Sequence, residues 1–191
     1  ASASVSVSAL ATASPSATAA GAAGGGPEAS LVQRGAYLAL VGNCAGCHTA
    51  PGGARYAGGR ALATPYGAVY AGNLTPDDDT GLGRWSADDF RRALHEGRGR
   101  DGRRLVPVFP YESYTRITRA DSDALFAFLR SLPPVRQANR PHTLRFPYGT
   151  QAALALWQWL SFKPHVAQVA APVAEAAGAA PPPSSPTAFT T

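Results

Sequence analysis

The sequence predicts an all-α domain between two low-complexity tails. Four segments place apolar residues at helical spacing, and glycines and prolines separate those segments. No internal repeat is visible. Residues 1–29 and 166–191 are dominated by small residues and proline, so they have little apolar surface to bury and we expect them to be disordered. The folded domain is therefore predicted to cover residues 30–165.

The first predicted helix covers residues 30–41, with Ser30 as a candidate N-cap. Its apolar residues recur at helical spacing and are Leu31, Tyr37, Leu38 and Val41. Because this helix leads directly into residues 44–48, we expect it to present them. Glycines and a proline then mark a loop, and residues 61–75 are expected either to line a cofactor pocket or to form a short hairpin.

The second half of the chain supplies three further helices. Residues 75–81 resemble a calcium loop but lack its later bidentate Glu, so a turn is favoured. Ser86 is expected to cap a helix that ends at Gly97. Residues 105–111 are apolar but contain two prolines, which favours an extended loop across a prosthetic group. The last two helices are predicted at residues 118–131 and 152–162.

One residue of the fourth predicted helix lies off its apolar stripe. The stripe consists of Leu156, Trp157 and Leu160, and Trp159 falls outside it. Trp159 is therefore expected either to face a partner or to be buried against the domain, and burial is the preferred interpretation.

The only two cysteines lie in the run Cys44-Ala45-Gly46-Cys47-His48. This spacing is the attachment signature of a c-type haem, in which each thiol forms a thioether and the histidine ligates the iron. A thioredoxin-like dithiol would want a βαβ pattern around it, and a zinc knuckle would need four ligands at regular spacing. Neither pattern is seen, so the sequence predicts one covalent haem c.

Charge and hydropathy restrict the partners. The chain carries 17 Lys+Arg and 12 Asp+Glu, a formal charge of +5, and its arginines are scattered. Scattered cations favour steering toward an acidic partner over a nucleic-acid site. No apolar run reaches about 18 residues, so we expect no membrane-spanning segment, and membrane association only through partners. Covalent haem is attached outside the bacterial cytoplasm, which predicts a periplasmic location, including the outer face of the inner membrane.

A series of runs around the motif identifies a family. They are Arg34-Gly35-Ala36-Tyr37-Leu38, Thr49-Ala50-Pro51-Gly52-Gly53, Thr64-Pro65-Tyr66-Gly67, Asn73-Leu74-Thr75-Pro76-Asp77, Gly81-Leu82-Gly83-Arg84-Trp85-Ser86, Asp89-Phe90-Arg91-Arg92-Ala93-Leu94, Phe109-Pro110-Tyr111-Glu112-Ser113-Tyr114-Thr115, Asp123-Ala124-Leu125-Phe126-Ala127-Phe128-Leu129, Pro133-Pro134-Val135 and Ala138-Asn139-Arg140-Pro141. With them, residues 34–163 resemble the first haem domain of the cytochrome subunit of periplasmic alcohol and gluconate dehydrogenases, and related cytochrome partners of molybdenum hydroxylases.

The resemblance implies a class I-like cytochrome c fold and a non-catalytic electron-transfer subunit. Its partners would be a dehydrogenase catalytic subunit and a downstream quinone, oxidase or second cytochrome. The related subunits typically hold three haem domains, whereas this sequence has one haem motif. Their loop commonly carries methionine where this chain has Phe109, and the chain contains no methionine. A His/Met iron therefore cannot come from this sequence alone.

Candidate site residues follow from these observations. His48 is the predicted axial ligand, and the second ligand stays open, with His142 as a candidate and His95 and His165 less favoured. Arg60 and Trp85 are candidate partners of the haem propionates, because a guanidinium and an indole N–H can both donate hydrogen bonds to a carboxylate. Phe109 is expected to pack on the haem face.

An alternative function is a haem protein with an open distal site that binds a small gas ligand or peroxide. Peroxide chemistry would want a distal acid or base, and the apolar surroundings of Phe109 offer none. Electron transfer is therefore the preferred interpretation.

Overall fold

The computed structural model describes residues 26–164. In chain order its elements are α1 (Pro27–Val41), α2 (Cys44–Cys47), β1 (Ala61–Thr64), β2 (Gly67–Tyr70), α3 (Ala87–Glu96), α4 (Tyr111–Tyr114), α5 (Arg119–Arg130), β3 (Thr143–Leu144) and α6 (Gln151–Ser161). Apart from residues 26–29, the two predicted tails lie outside the described residues, as does His165.

The core is organised by the crossing of α1 and α5. Gly35 of α1 is buried at this crossing, and a Cβ atom added to it would lie only 1.9 Å from the carbonyl oxygen of Ala124 on α5. The absence of a side chain at residue 35 therefore lets the two backbones approach closely. The core cluster around the crossing consists of Ala39, Tyr56, Leu82, Phe90, Leu94, Leu125 and Leu129.

Helix α1 begins three residues before its predicted start. Pro27 occupies its first turn, where a fixed φ and a missing N–H carry no penalty. The hydroxyl of Ser30 donates to the carbonyl of Pro27 at 2.7 Å, so Ser30 lies inside the helix and is not its N-cap. The prediction of Ser30 as the cap was wrong because Pro27 sets the start instead.

The next two long helices begin where their capping residues predict. The side chain of Ser86 accepts from the backbone N–H of Asp89 at 3.0 Å, and the Asp89 carboxylate accepts from the Ser86 N–H at 3.0 Å. Thr118 caps α5 by accepting from the N–H of Asp121 at 3.1 Å. Each cap satisfies backbone donors that the first helical turn leaves without partners.

A small antiparallel sheet of order β1-β2-β3 accompanies the helices. Leu62 pairs with Val69, so the short hairpin that was one alternative for residues 61–75 is present. β3 adds a third strand by pairing Ala68 with Thr143. The fold is therefore helical with a minor sheet and not purely α. A two-residue strand such as β3 has no periodicity by which a sequence could reveal it.

Helix α6 corrects one side-chain prediction. Trp159 is 80% exposed, so its expected burial was wrong. Trp157 faces the domain instead and packs edge to face on Tyr111, with ring centroids 6.1 Å apart. Within residues 26–164, no helix is both long and apolar enough to cross a bilayer.

Candidate haem-binding site

The cysteine motif forms a single helical turn at the end of α1. Asn43 precedes it in the left-handed conformation, with φ 49°, and redirects the chain into α2. The backbone N–H of His48 then donates to the carbonyl of Cys44 at 2.9 Å and closes the turn. Residues three apart on a helix share a face, so the turn presents Cys44 and Cys47 together. Both thiols are unpaired; Cys44 is half-buried and Cys47 is exposed.

His48 is held in one tautomer by a backbone carbonyl. Its Nδ1 lies 2.7 Å from the carbonyl oxygen of Gly72. Because a carbonyl oxygen can only accept, Nδ1 carries the proton and Nε2 keeps a free lone pair. Burial lowers the pKa of His48, although the Gly72 carbonyl opposes this shift. The imidazole is therefore held neutral, oriented and ready to bind a metal through Nε2.

The carbonyl of Gly72 is itself positioned by the residue that follows it. Asn73 is buried, and its Nδ2 donates to the Val135 carbonyl at 2.8 Å and to the Thr80 hydroxyl at 3.0 Å. Its backbone N–H donates to Oδ1 of Asn139 at 2.8 Å. These bonds tie the segment after Gly72 to the nearby Thr80 and to the distant residues 135–139, which fixes the acceptor that orients His48.

The predicted turn at residues 75–81 forms part of the same network. The carboxylate of Asp77 accepts from the backbone N–H and the hydroxyl of Thr80, both at 2.7 Å. Hydrogen bonds from a nearby backbone N–H to an aspartate side chain are typical of turns that begin with Asp. They also lower the pKa of Asp77, because the hydrogen bonds from Thr80 favour the ionised carboxylate.

Phe109 and Tyr114 form an aromatic wall beside the cysteine motif. Their rings stack with centroids 5.3 Å apart and an interplanar angle of 21°. The Tyr114 hydroxyl donates to the carbonyl of Gly42 at 3.3 Å. A Cβ atom added to Gly42 would lie 3.4 Å from that hydroxyl and 3.6 Å from the Cys44 sulfur, so the wall meets the motif at the end of α1.

Sequence reasoning missed two residues of this site. Tyr114 lies in residues 109–115, one of the runs that carry the family resemblance, but nothing in that run distinguished it from its neighbours. Gly72 acts through its carbonyl, which every residue carries, so no residue type could have indicated it.

The two predicted propionate partners, Trp85 and Arg60, differ in burial. Trp85 is half-buried and packs, like Cys44 and Phe109, against the core cluster. Arg60 is exposed, and its carbonyl accepts from the Ala71 N–H at 2.9 Å. Their proposed contacts with haem propionates stay predictions.

The described histidines other than His48 make different contacts. Nδ1 of His142 accepts from the backbone N–H of Tyr70 at 3.2 Å, which leaves the proton of a neutral His142 on Nε2. This is the opposite tautomer from that of His48. Nε2 of His95 is buried and has no hydrogen-bond partner among residues 26–164. Burial lowers the pKa of both side chains. Iron ligation by either one stays a prediction.

The donor set fits a c-type haem. Two unpaired thiols on one helical turn can take the two vinyl groups. The adjacent imidazole, with its Nδ1 proton committed to Gly72, offers Nε2 to the iron.

Comparison with known proteins agrees with this chemistry. Residues 32–133 match the family model described as cytochrome c. The chain belongs to the cytochrome c family. It is 48% identical over 130 residues to a nicotinate dehydrogenase subunit of Pseudomonas putida, covering 68% of this chain and 11% of that protein. It is 42% identical over 138 residues to the gluconate 2-dehydrogenase cytochrome c subunit of Pantoea cypripedii, covering 72% and 31%.

A third relative is the diheme cytochrome c-type protein of Cereibacter sphaeroides, which is 39% identical over 136 residues, with 69% of this chain and 46% of that protein covered. The chain thus spans less than half the length of each of these relatives. The resemblance to cytochrome subunits of dehydrogenases is confirmed, and a covalent haem c is the cofactor of this family.

Proposed function

We propose that this chain holds a single haem c and carries electrons from a periplasmic dehydrogenase toward the respiratory chain. The observation that carries the proposal is the 2.7 Å contact between His48 Nδ1 and the Gly72 carbonyl, next to two unpaired thiols. A neutral, oriented imidazole beside two free thiols is the donor set that a c-type haem requires. The single Cys-x-x-Cys-His run supports one haem.

Each residue then has a defined task. Cys44 and Cys47 form the thioethers, and Nε2 of His48 binds the iron. Gly72 and Asn73 fix the imidazole, while Phe109 and Tyr114 shield the neighbouring side of the motif from water. The bound haem would supply one-electron chemistry between ferric and ferrous iron. Arg60 and Trp85 are proposed to donate hydrogen bonds to the propionates.

The proposed upstream partner is a dehydrogenase catalytic subunit. Relatives are cytochrome subunits of gluconate, alcohol and fructose dehydrogenases. The formal charge of +5 supports steering toward an acidic docking face. A quinone, an oxidase or a second cytochrome would receive the electron, and covalent haem supports a periplasmic location.

A second candidate function rests on the missing methionine. With Phe109 in the loop and no methionine in the chain, the sequence supplies no thioether to the iron. A five-coordinate iron would bind carbon monoxide rapidly and fully after reduction, whereas an iron with two protein ligands would not. Rapid binding would support the alternative of a gas- or peroxide-binding haem protein.

The test of the main proposal uses the protein carrying its haem. A pyridine haemochrome assay should give one haem c per chain. The oxidised protein is then mixed with inner membranes isolated from the source bacterium, and nicotinate, gluconate, ethanol or fructose is added. We expect one of these substrates to reduce the haem within the turnover time of the dehydrogenase. The Cys44→Ser, Cys47→Ser double variant is the control. A haem that dithionite reduces but that none of these substrates reduces would contradict the proposed role.

A further inference from the structure

Helix α6 buries one polar side chain and exposes three large apolar ones. Its buried positions include Gln158, which is 9% exposed, whereas Trp159 is 80% exposed. Leu156 and Leu160 are also exposed, at 56% and 62%. Because residues three and four apart share a helical face, these three apolar side chains form one outward stripe. A contiguous apolar stripe on an outer surface marks a candidate interaction surface.

Both the amide oxygen and the amide nitrogen of the buried glutamine form hydrogen bonds with the domain, and these bonds fix the orientation of the helix. Gln158 accepts from Nε of Arg104 at 2.8 Å and donates to the Glu96 carbonyl and the Tyr111 hydroxyl, both at 3.2 Å. These bonds, together with buried Leu154, anchor α6 to the domain. The outward stripe is therefore a fixed surface.

The surroundings of the stripe are predominantly cationic. None of the 11 residues of α6 is charged. A cavity of about 300 Å³ beside Trp159 is lined by Arg98, Arg104 and Glu96, together with Ala155, Gln158 and Phe162. Lys163 follows the helix and is exposed. No carboxylate pairs with Arg98, Arg104 or Lys163 anywhere in the described part of the chain.

We infer that the outward face of α6 rests on an anionic phospholipid surface. Trp159 and the two leucines enter the interfacial region, where tryptophan is favoured, and the Arg98–Arg104 cavity receives a lipid phosphate. Two guanidinium groups that form no ion pair among the described residues, beside exposed apolar side chains, match the charge and polarity of an anionic bilayer surface. A second copy of this basic chain would bring like charges together. The inference does not depend on the redox role of the haem.

The inference is tested with the haem-loaded full chain and vesicles. One set contains equimolar phosphatidylglycerol and phosphatidylcholine, and the other contains phosphatidylcholine alone. Co-sedimentation should show binding to the anionic set that weakens as salt is added, with far less binding to the neutral set. Trp159→Ser should weaken binding about tenfold or more. The free energy gained when a large apolar side chain is buried exceeds the free energy that corresponds to a tenfold change in affinity.

Two further variants distinguish binding through this surface from nonspecific binding to vesicles. Tyr37→Ser removes a side chain that is 65% exposed on α1 and should bind anionic vesicles like the wild type. Arg98→Gln should weaken binding and reduce its salt dependence, without the loss of the Arg104–Gln158 hydrogen bond. Unchanged haem spectra and unfolding midpoints will show that the variants are folded.

Two results would overturn the inference. One is an absence of anionic-vesicle binding at low salt; the other is equal binding by the wild type and Trp159→Ser. If vesicles do not bind while Trp159→Ser slows reduction by a dehydrogenase, the stripe is a protein interface and the lipid assignment is wrong.

Discussion

The close approach of α1 to α5 makes Gly35→Ala a sensitive test of the fold. A Cβ atom at residue 35 would lie 1.9 Å from the Ala124 carbonyl oxygen, 2.6 Å from the Ala124 carbonyl carbon and 2.7 Å from Cβ of Phe128. Two of these three atoms belong to the backbone, so no side-chain rotation can relieve the overlap. The helices would have to separate by about 1.1 Å to reach the 3.0 Å below which such contacts essentially do not occur.

The expected loss of stability follows from two opposing effects. Alanine is favoured over glycine in a helix interior by about 1 kcal/mol. Overpacking against a backbone atom costs about 3 kcal/mol, at the upper end of the usual range, because the separation also loosens the contacts of Ala39, Leu125 and Leu129. The free energy of unfolding should therefore fall by about 2 kcal/mol. For a domain of this size that lowers the Tm by roughly 8 °C.

Guanidinium denaturation followed by far-ultraviolet circular dichroism measures this change. Gly149→Ala is the matched control, because its added Cβ would be 3.4 Å from Cβ of Leu144, an ordinary contact. It should alter the unfolding free energy by less than about 0.5 kcal/mol. If Gly35→Ala unfolds at the same midpoint as Gly149→Ala and the wild type, the helices do not cross as closely as described.

Further expectations concern the haem site and its supports. Cys44→Ser and Cys47→Ser should each keep haem through one thioether, and the double variant should lose all haem to acidified acetone, as mass spectrometry will show. Asn73→Ala should lower the unfolding free energy by about 3 kcal/mol, because buried Thr75 and the partly buried Thr80 and Val135 lose their hydrogen bonds. Thr143→Ala, at an exposed strand position, should change it by less than about 0.5 kcal/mol, and equal effects would contradict the network. The hydrogen bond from the Ser86 N–H lowers the pKa of Asp89 below its ordinary 3.8. The ionised Asp89 carboxylate therefore contributes its full stabilisation above pH 3.8, and this stabilisation is lost as the pH falls through the lowered pKa. Denaturation curves of Asp89→Asn should vary less across this acid range than those of the wild type, and identical pH profiles would exclude this role.

A covalent haem could be predicted from the sequence because its attachment motif consists of residue types at fixed spacing. The roles of Cys44, Cys47 and His48 in that motif stay predictions. The helices with strong capping signals, such as Ser86 with Asp89, were also predictable. Their hydrogen bonds join residues only three apart, so the information is local.

Features that depend on distant contacts could not be predicted. The Gly72 carbonyl orients His48 across 24 residues, and a carbonyl has no residue-type signature. Trp159 was expected to be buried against the domain although it lies off the predicted apolar stripe, yet Gln158 takes the inward position through three hydrogen bonds, with Arg104, Glu96 and Tyr111. The start of α1 depended on Pro27, which composition had assigned to the tail.

The network around Asn73 sets a lower limit on the size of a self-sufficient module. The family match ends at residue 133, but the backbone groups and side chains that secure Asn73 belong to Val135 and Asn139. A chain shortened to the matched span would keep Cys44, Cys47 and His48 while releasing the support that aims the imidazole of His48. Anyone who transplants this motif into another scaffold must therefore carry the stretch through residue 139 along with it.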